Sequence, residues 1–237
     1  MPHLAAVLLI VSLGLAAPAL AQVAPAEPPG PWVADIRGAT GPLPTGSEFY
    51  PALDDGITVP SRGFGLDVGV HAYPMRLGPS RIGIGVAFIT LRGTSRPEPI
   101  TTASPTSSGS SSSSASGSTS ATTTAAVLPT EVIATMRSIA PQLSFNFGSR
   151  QGWSYLSAGW GFSSLVTRAT GPGAGTRESG RVSSINAGGG ARWFTKPRLA
   201  ISFDVRVHKL GSGKATATTA GTPGTTMLAV SVGLSVR

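Results

Sequence analysis

Asp204, Arg206 and His208 stand two positions apart in the stretch Arg198 to Leu210, RLAISFDVRVHKL. Leu199, Ile201, Phe203, Val205 and Val207 fill the positions between. Side chains on a strand alternate faces, so one face here is purely apolar and the other carries an acid, a base and an imidazole. The same parity elsewhere collects Asp35, Arg37, Asp67, His71, Asn146, Asn186 and Arg192. Three carboxylates and three guanidiniums on one face form a nearly neutral set, and buried charges of this kind are expected to pair. Catalysis is not expected of them. Asp204 and His208 are four residues apart on a strand, about 13 Å, too far for the hydrogen bond an acid–base pair needs. No metal site is expected from two separated histidines in a chain without cysteine. No cofactor is implied. The glycines of Gly63 to Gly69 lie within a strand pattern, and Gly211-Ser212-Gly213-Lys214-Ala215 lacks the first glycine and last hydroxyl of a phosphate loop.

Eight alternating stretches position these residues: Trp32–Ala39, Gly63–Tyr73, Arg81–Arg92, Met136–Gly148, Trp153–Val166, Arg181–Phe194, Arg198–Leu210 and Thr226–Arg237. The connections between them run long, short, long, short, long, short, long. In an antiparallel meander, that alternation gathers all long loops at one end and all short turns at the other. The long segments are Gly41–Ser61, Thr94–Thr130, Thr167–Gly180 and Gly211–Thr225. The second is mostly Ser and Thr, cannot bury a core and is expected to be disordered.

Met1–Ala21 reads as a secretory leader, with an apolar run from Leu4 to Ala17 and a small-x-small site at Ala19-Leu20-Ala21. Gln22–Pro31 is an Ala/Pro-rich lead-in, and 32–237 is one barrel domain. The chain has 18 Lys and Arg against 10 Asp and Glu, a formal charge of +8. The basic residues are scattered over turns and not clustered, which argues against nucleic-acid binding.

A soluble sheet turns its apolar face inward, and a barrel in lipid inverts this, apolar outward and polar into the lumen. Trp32, Tyr73, Phe147, Trp153 and Trp193 all fall at the short-turn end, where an interfacial aromatic girdle would lie. On this architecture the chain resembles the small eight-stranded outer-membrane barrels, such as OmpX and the transmembrane part of OmpA. The resemblance spans Trp32 to Arg237 and implies an all-β, eight-stranded antiparallel up-and-down transmembrane barrel. It also implies a cell outer membrane location and a partnership with outer-membrane lipid, lipopolysaccharide and the barrel-assembly machinery. Such chains commonly end on an aromatic, and this one ends on Val236-Arg237. No peptidoglycan-binding segment is read after the barrel.

The expected role is structural or surface-interacting, with an extracellular surface partner met by the long loops. Arg92 and Arg168 are read as lipopolysaccharide-phosphate contacts, where their strands leave the apolar band. Three alternatives stay open: a narrow channel, a lipid A-modifying enzyme using His208 near Ser212, and a soluble periplasmic lipocalin-like binding barrel.

Overall fold

The computed structural model describes residues 30–51, 53, 57–96, 131–149, 151–171, 174–215 and 221–237. The leader, most of the lead-in and 97–130 of the Ser/Thr-rich loop lie outside the described residues.

Among the described residues nine strands follow in chain order: β1 (Trp32–Pro42), β2 (Arg62–Leu77), β3 (Ser80–Ser95), β4 (Glu131–Ser149), β5 (Gly152–Thr170), β6 (Gly175–Glu178), β7 (Val182–Lys196), β8 (Leu199–Leu210) and β9 (Thr225–Val236). All pair antiparallel. Eight of them close the circle β1-β2-β3-β4-β5-β7-β8-β9, with β9 hydrogen-bonded back to β1 through Ala34↔Val236 to Thr40↔Val230. Closure leaves this eight-strand circle without an edge, the condition under which strands can sit in hydrocarbon.

Period-two alternation decides what faces where. In β8 the apolar residues Ile201 and Val207 point outward and are well exposed, while Ser202, Asp204, Arg206 and His208 are buried. Leu228, Val230, Val232, Leu234 and Val236 form the outer face of β9. Eight steps of about 3.4 Å, tilted about 40°, make an apolar band roughly 21 Å tall, close to that of outer-membrane barrels.

Several strands run further than their alternation predicts. β2 continues through Pro74 to Leu77, past a register shift between Ala72 and Met75. An irregularity of this kind is where a strand tolerates a residue with no N–H. Pro141 in β4 faces the same constraint. It is paired with Val86 on β3 and absent from the β4–β5 ladder. At the turn between β2 and β3, Gly78 takes φ +60°, a left-handed position suited to a residue without a Cβ.

The reading of Thr167–Gly180 as a simple Gly-rich loop is corrected. β5 carries its alternation on to Thr170, and β6 folds back on it through Val166↔Glu178 to Ala169↔Gly175. Gly171, just after β5, takes φ +100°. Thr94 and Ser95 likewise belong to β3 and pair with Ile133 and Val132.

Candidate functional site: a bridged lumen and a cationic rim

The barrel interior is built in three layers. The middle layer is polar and is held by side chains that reach across the lumen. Arg37 on β1 donates through Nε to Asp67 Oδ2 at 3.0 Å and through Nη1 to the Tyr155 hydroxyl at 2.7 Å. β1 and β5 are diametrically opposite in the closed order, so the Arg37–Tyr155 bond spans the barrel. The Tyr155 hydroxyl donates to Asp204 Oδ2 at 2.6 Å, and Asp204 also accepts from Arg206 at 3.1 and 3.2 Å. Arg206 then donates to Gln142 Oε1 and Asn186 Oδ1, both at 2.9 Å, and to Ser157 Oγ at 2.7 Å.

A second cluster adjoins the first. Arg192 grips Asp35 with two bonds, Nε to Oδ1 at 2.9 Å and Nη2 to Oδ2 at 2.7 Å, and Ser235 donates to the same carboxylate. The Arg37 and Asp35 charges approach to 3.8 Å, which joins the two clusters. The Arg192 guanidinium lies 4.1 Å from the centroid of the Tyr155 ring. Each of the three aspartates therefore has a guanidinium partner, the arrangement that makes burial of charge tolerable.

His71 and His208 are buried in this interior, and neither ring nitrogen of either has a hydrogen-bond partner among the described residues. Asp204 is engaged by Arg206 and Tyr155 and does not orient His208. Asn146 is fully buried and donates to Ser144 at 3.0 Å. Alternation puts Gln142, Ser157, Ser231 and Ser235 on the polar face without marking them as members of the lumen network, and it leaves Tyr155 unnamed; all five are buried. All five share the inward parity of residues that it did single out, which is the signal that could have found them. Arg81, also inward, donates to the Tyr73 carbonyl at 3.4 Å.

Apolar layers close both ends. At the turn end, Val33, Tyr73 and Trp153 are buried together with Phe194 against them. Tyr73 and Phe194 meet the Trp153 ring edge-on at 6.0 and 5.0 Å. This corrects the girdle. Tyr73 and Trp153 share the parity of His71 and Tyr155 and so point into the lumen, while Trp32 and Trp193 face outward and Phe147 takes the outward parity of β4. At the loop end, Ile89, Leu91, Val132, Met136, Leu165, Leu210 and Met227 form a second apolar layer. The segment after β1 folds down into it, burying Leu43, Phe49 and Tyr50. Thr167 donates to the Phe49 carbonyl at 2.6 Å and Arg177 on β6 to the Tyr50 carbonyl at 3.2 Å, pinning that segment in the mouth. Burial pushes the Tyr50 phenol up to about 12, and its hydroxyl donates to the Pro44 carbonyl at 2.8 Å.

The outer wall bears a rim of cations at the loop end. Arg62, Arg92, Arg137, Arg168, Arg181 and Lys209 are all exposed, on β2, β3, β4, β5, the residue before β7, and β8. Arg92 and Arg168 are not level with one another. Arg92 follows Thr90, the partner of Arg137, by two positions. Arg168 lies four beyond Ser164, roughly 14 Å further along β5.

The sequence matches no family profile and no curated protein. Among solved structures the chain is similar to Neisserial surface protein A, at 10% identity and TM-score 0.51 over 88% of this chain and 97% of that one. The fold is that of the small eight-stranded outer-membrane barrels. Two structures of Ail, the attachment invasion locus protein of Yersinia pestis, align at 10% and 12% identity with TM-scores of 0.48 and 0.46. They cover 86% and 88% of this chain and 96% and 98% of their own, and the first holds the heparin analogue sucrose octasulfate. An outer-membrane barrel accounts for the inverted pattern of this chain, an apolar wall around a charged interior.

Proposed function

We propose that the chain is an integral outer-membrane barrel whose role is structural and surface-interacting. It would be secreted with a cleaved leader and inserted by the barrel-assembly machinery. The observation that carries this reading is the bridged lumen. Side chains cross it from β1 to β5 and from β8 to β4, and apolar layers close it above and below. A channel needs a continuous wet path, and a lipocalin-like barrel needs a cavity. The bridged interior favours neither. The faces left for interaction are the outer wall and the loop end.

The loops supply contact with a partner outside the cell, and the cationic rim supplies contact with lipopolysaccharide phosphates. Arg92→Ala/Arg168→Ala is expected to weaken binding to lipopolysaccharide, and unchanged binding would count against their part in it. The surface role is tested by shortening 211–224 to a tight turn and placing an epitope in 97–130. Intact cells should present the epitope, and the shortened variant should lose adhesion to extracellular matrix while the barrel still folds. Adhesion unchanged by the shortening, or an epitope reached only after lysis, would refute the role.

A further inference from the structure

Four polar side chains near the turn end of the lumen are not used up by the network above. Trp153, Arg192 and Ser202 are successive cross-strand partners on β5, β7 and β8, so they form one inward row. Tyr73 on β2 meets the Trp153 ring edge-on at 6.0 Å, and its phenol faces the Arg192 guanidinium. All four residues are at most 3% exposed. Trp153 Nε1, Arg192 Nη1, Ser202 Oγ and the Tyr73 hydroxyl have no hydrogen-bond partner among the described residues. Arg192 grips Asp35 side-on through Nε and Nη2, which leaves Nη1 on the edge away from that carboxylate.

An indole N–H and a guanidinium can only donate, and both hydroxyls can donate as well. Buried donors on three strands, with a fourth facing them from β2, call for one acceptor between them. Charge points to an acceptor that is an anion. The described residues buried in the lumen include three carboxylates, Asp35, Asp67 and Asp204, and four guanidiniums, Arg37, Arg81, Arg192 and Arg206. Arg37, Arg192 and Arg206 each pair with a carboxylate. Arg81 has no carboxylate partner among the described residues and donates to the Tyr73 carbonyl, so the excess positive charge lies beside the row. Space limits the ligand to one atom. Val33, Tyr73, Trp153 and Phe194 pack together at this end, and a Cβ at Gly83 would already run into the Tyr73 ring. A phosphate or a carboxylate is too large, and a water brings the acceptor without the charge.

We infer that this row binds a single halide ion, held by Arg192 Nη1 and Trp153 Nε1, with the hydroxyls of Tyr73 and Ser202 completing its donors. The site lies inside the lumen, at the opposite end from the loops, and is independent of any surface partner.

The test uses the full chain folded in neutral-detergent micelles, on the form that migrates faster unboiled. Trp32→Phe/Trp160→Phe/Trp193→Phe leaves Trp153 as the one tryptophan, and this is the parent protein. Bromide replaces gluconate at constant ionic strength while Trp153 fluorescence is read. Quenching should saturate in the millimolar range, and added chloride should reverse it. In the same background Arg81→Gln, Tyr73→Phe and Ser202→Ala should each raise the half-saturating bromide at least fivefold. Each removes one charge or one donor to an ion and leaves the ring packing in place. Arg62→Gln/Lys209→Gln, exposed at the loop end, should change it less than twofold. Quenching that rises linearly, or that chloride does not reverse, would overturn the site and leave the row to water. A rise of less than fivefold in any of the three row variants would overturn the donor set. A change of twofold or more in Arg62→Gln/Lys209→Gln would overturn the single site in favour of a general charge effect.

Discussion

Asp35→Asn should destabilise the barrel by about 3–5 kcal/mol, the usual cost of stranding one partner of a buried ion pair. Asp35 accepts two bonds from Arg192 at 2.9 and 2.7 Å and one from Ser235, and lies 3.8 Å from Arg37. Each charge-assisted bond is worth about 1.5–3 kcal/mol, so weakening the bidentate pair accounts for a loss of that size. Arg192, only 1% exposed, is left with its charge facing an amide. Arg192→Met should cost a similar amount, because Asp35 then keeps only the more distant Arg37 as counter-charge. The double variant removes both charges, and uncharged replacements of a buried pair are often near neutral. It should cost less than either single variant, giving a coupling of at least about 3 kcal/mol. The assay is reversible denaturant unfolding of the barrel in detergent or lipid vesicles, followed by tryptophan fluorescence and gel mobility. Single variants costing under about 1 kcal/mol with no coupling would refute the reasoning, since only a water-filled lumen screens a pair that well.

Three further outcomes follow from the same structure. Gly83 faces the lumen, and a Cβ there would run into the Tyr73 ring, so Gly83→Val should cost about 1–3 kcal/mol in the same unfolding assay. Leu156 is 56% exposed on the outer wall, so Leu156→Arg should cost up to about 2–4 kcal/mol in lipid vesicles; in a water-facing wall it would cost almost nothing. The segment holding Tyr50 should loosen in alkali. The unfolded phenol ionises from about 10 and the folded one from about 12, so its contribution is full below pH 10 and is lost as pH rises through 12. Hydrogen exchange or protease cleavage at 43–61 should rise over that window, and Tyr50→Phe should remove the rise.

The fold was legible because the side-chain period in a strand is exactly two, so a single misplaced residue would have inverted a whole face. Leu199 to His208 read correctly for that reason. Tyr73 did not, because it was grouped by its place at a strand end, and Trp153 was grouped with it although its parity reads as the lumen's. Their parity, shared with His71 and Tyr155, already pointed inward. β6 was hidden because Gly175 to Glu178 is too short to show alternation. The polar residues of the lumen could be enumerated, but their partners could not. Arg37 and Tyr155 are 118 positions apart, and their contact exists only once the barrel closes. The plug of Leu43, Phe49 and Tyr50 was read as part of an interaction loop. Pro42, Pro44, Pro51, Pro60 and Asp54-Asp55-Gly56 mark irregular backbone, but they do not say whether it turns outward or folds into the mouth.

The most direct test of the central claim, an apolar wall in lipid around a bridged polar lumen, is membrane fractionation combined with heat-modifiability. The protein should appear in the outer-membrane fraction and migrate faster unboiled than boiled on a denaturing gel, because the closed barrel resists detergent until heated. A soluble periplasmic protein with the same mobility boiled and unboiled would contradict the account and reverse every assignment of wall and lumen.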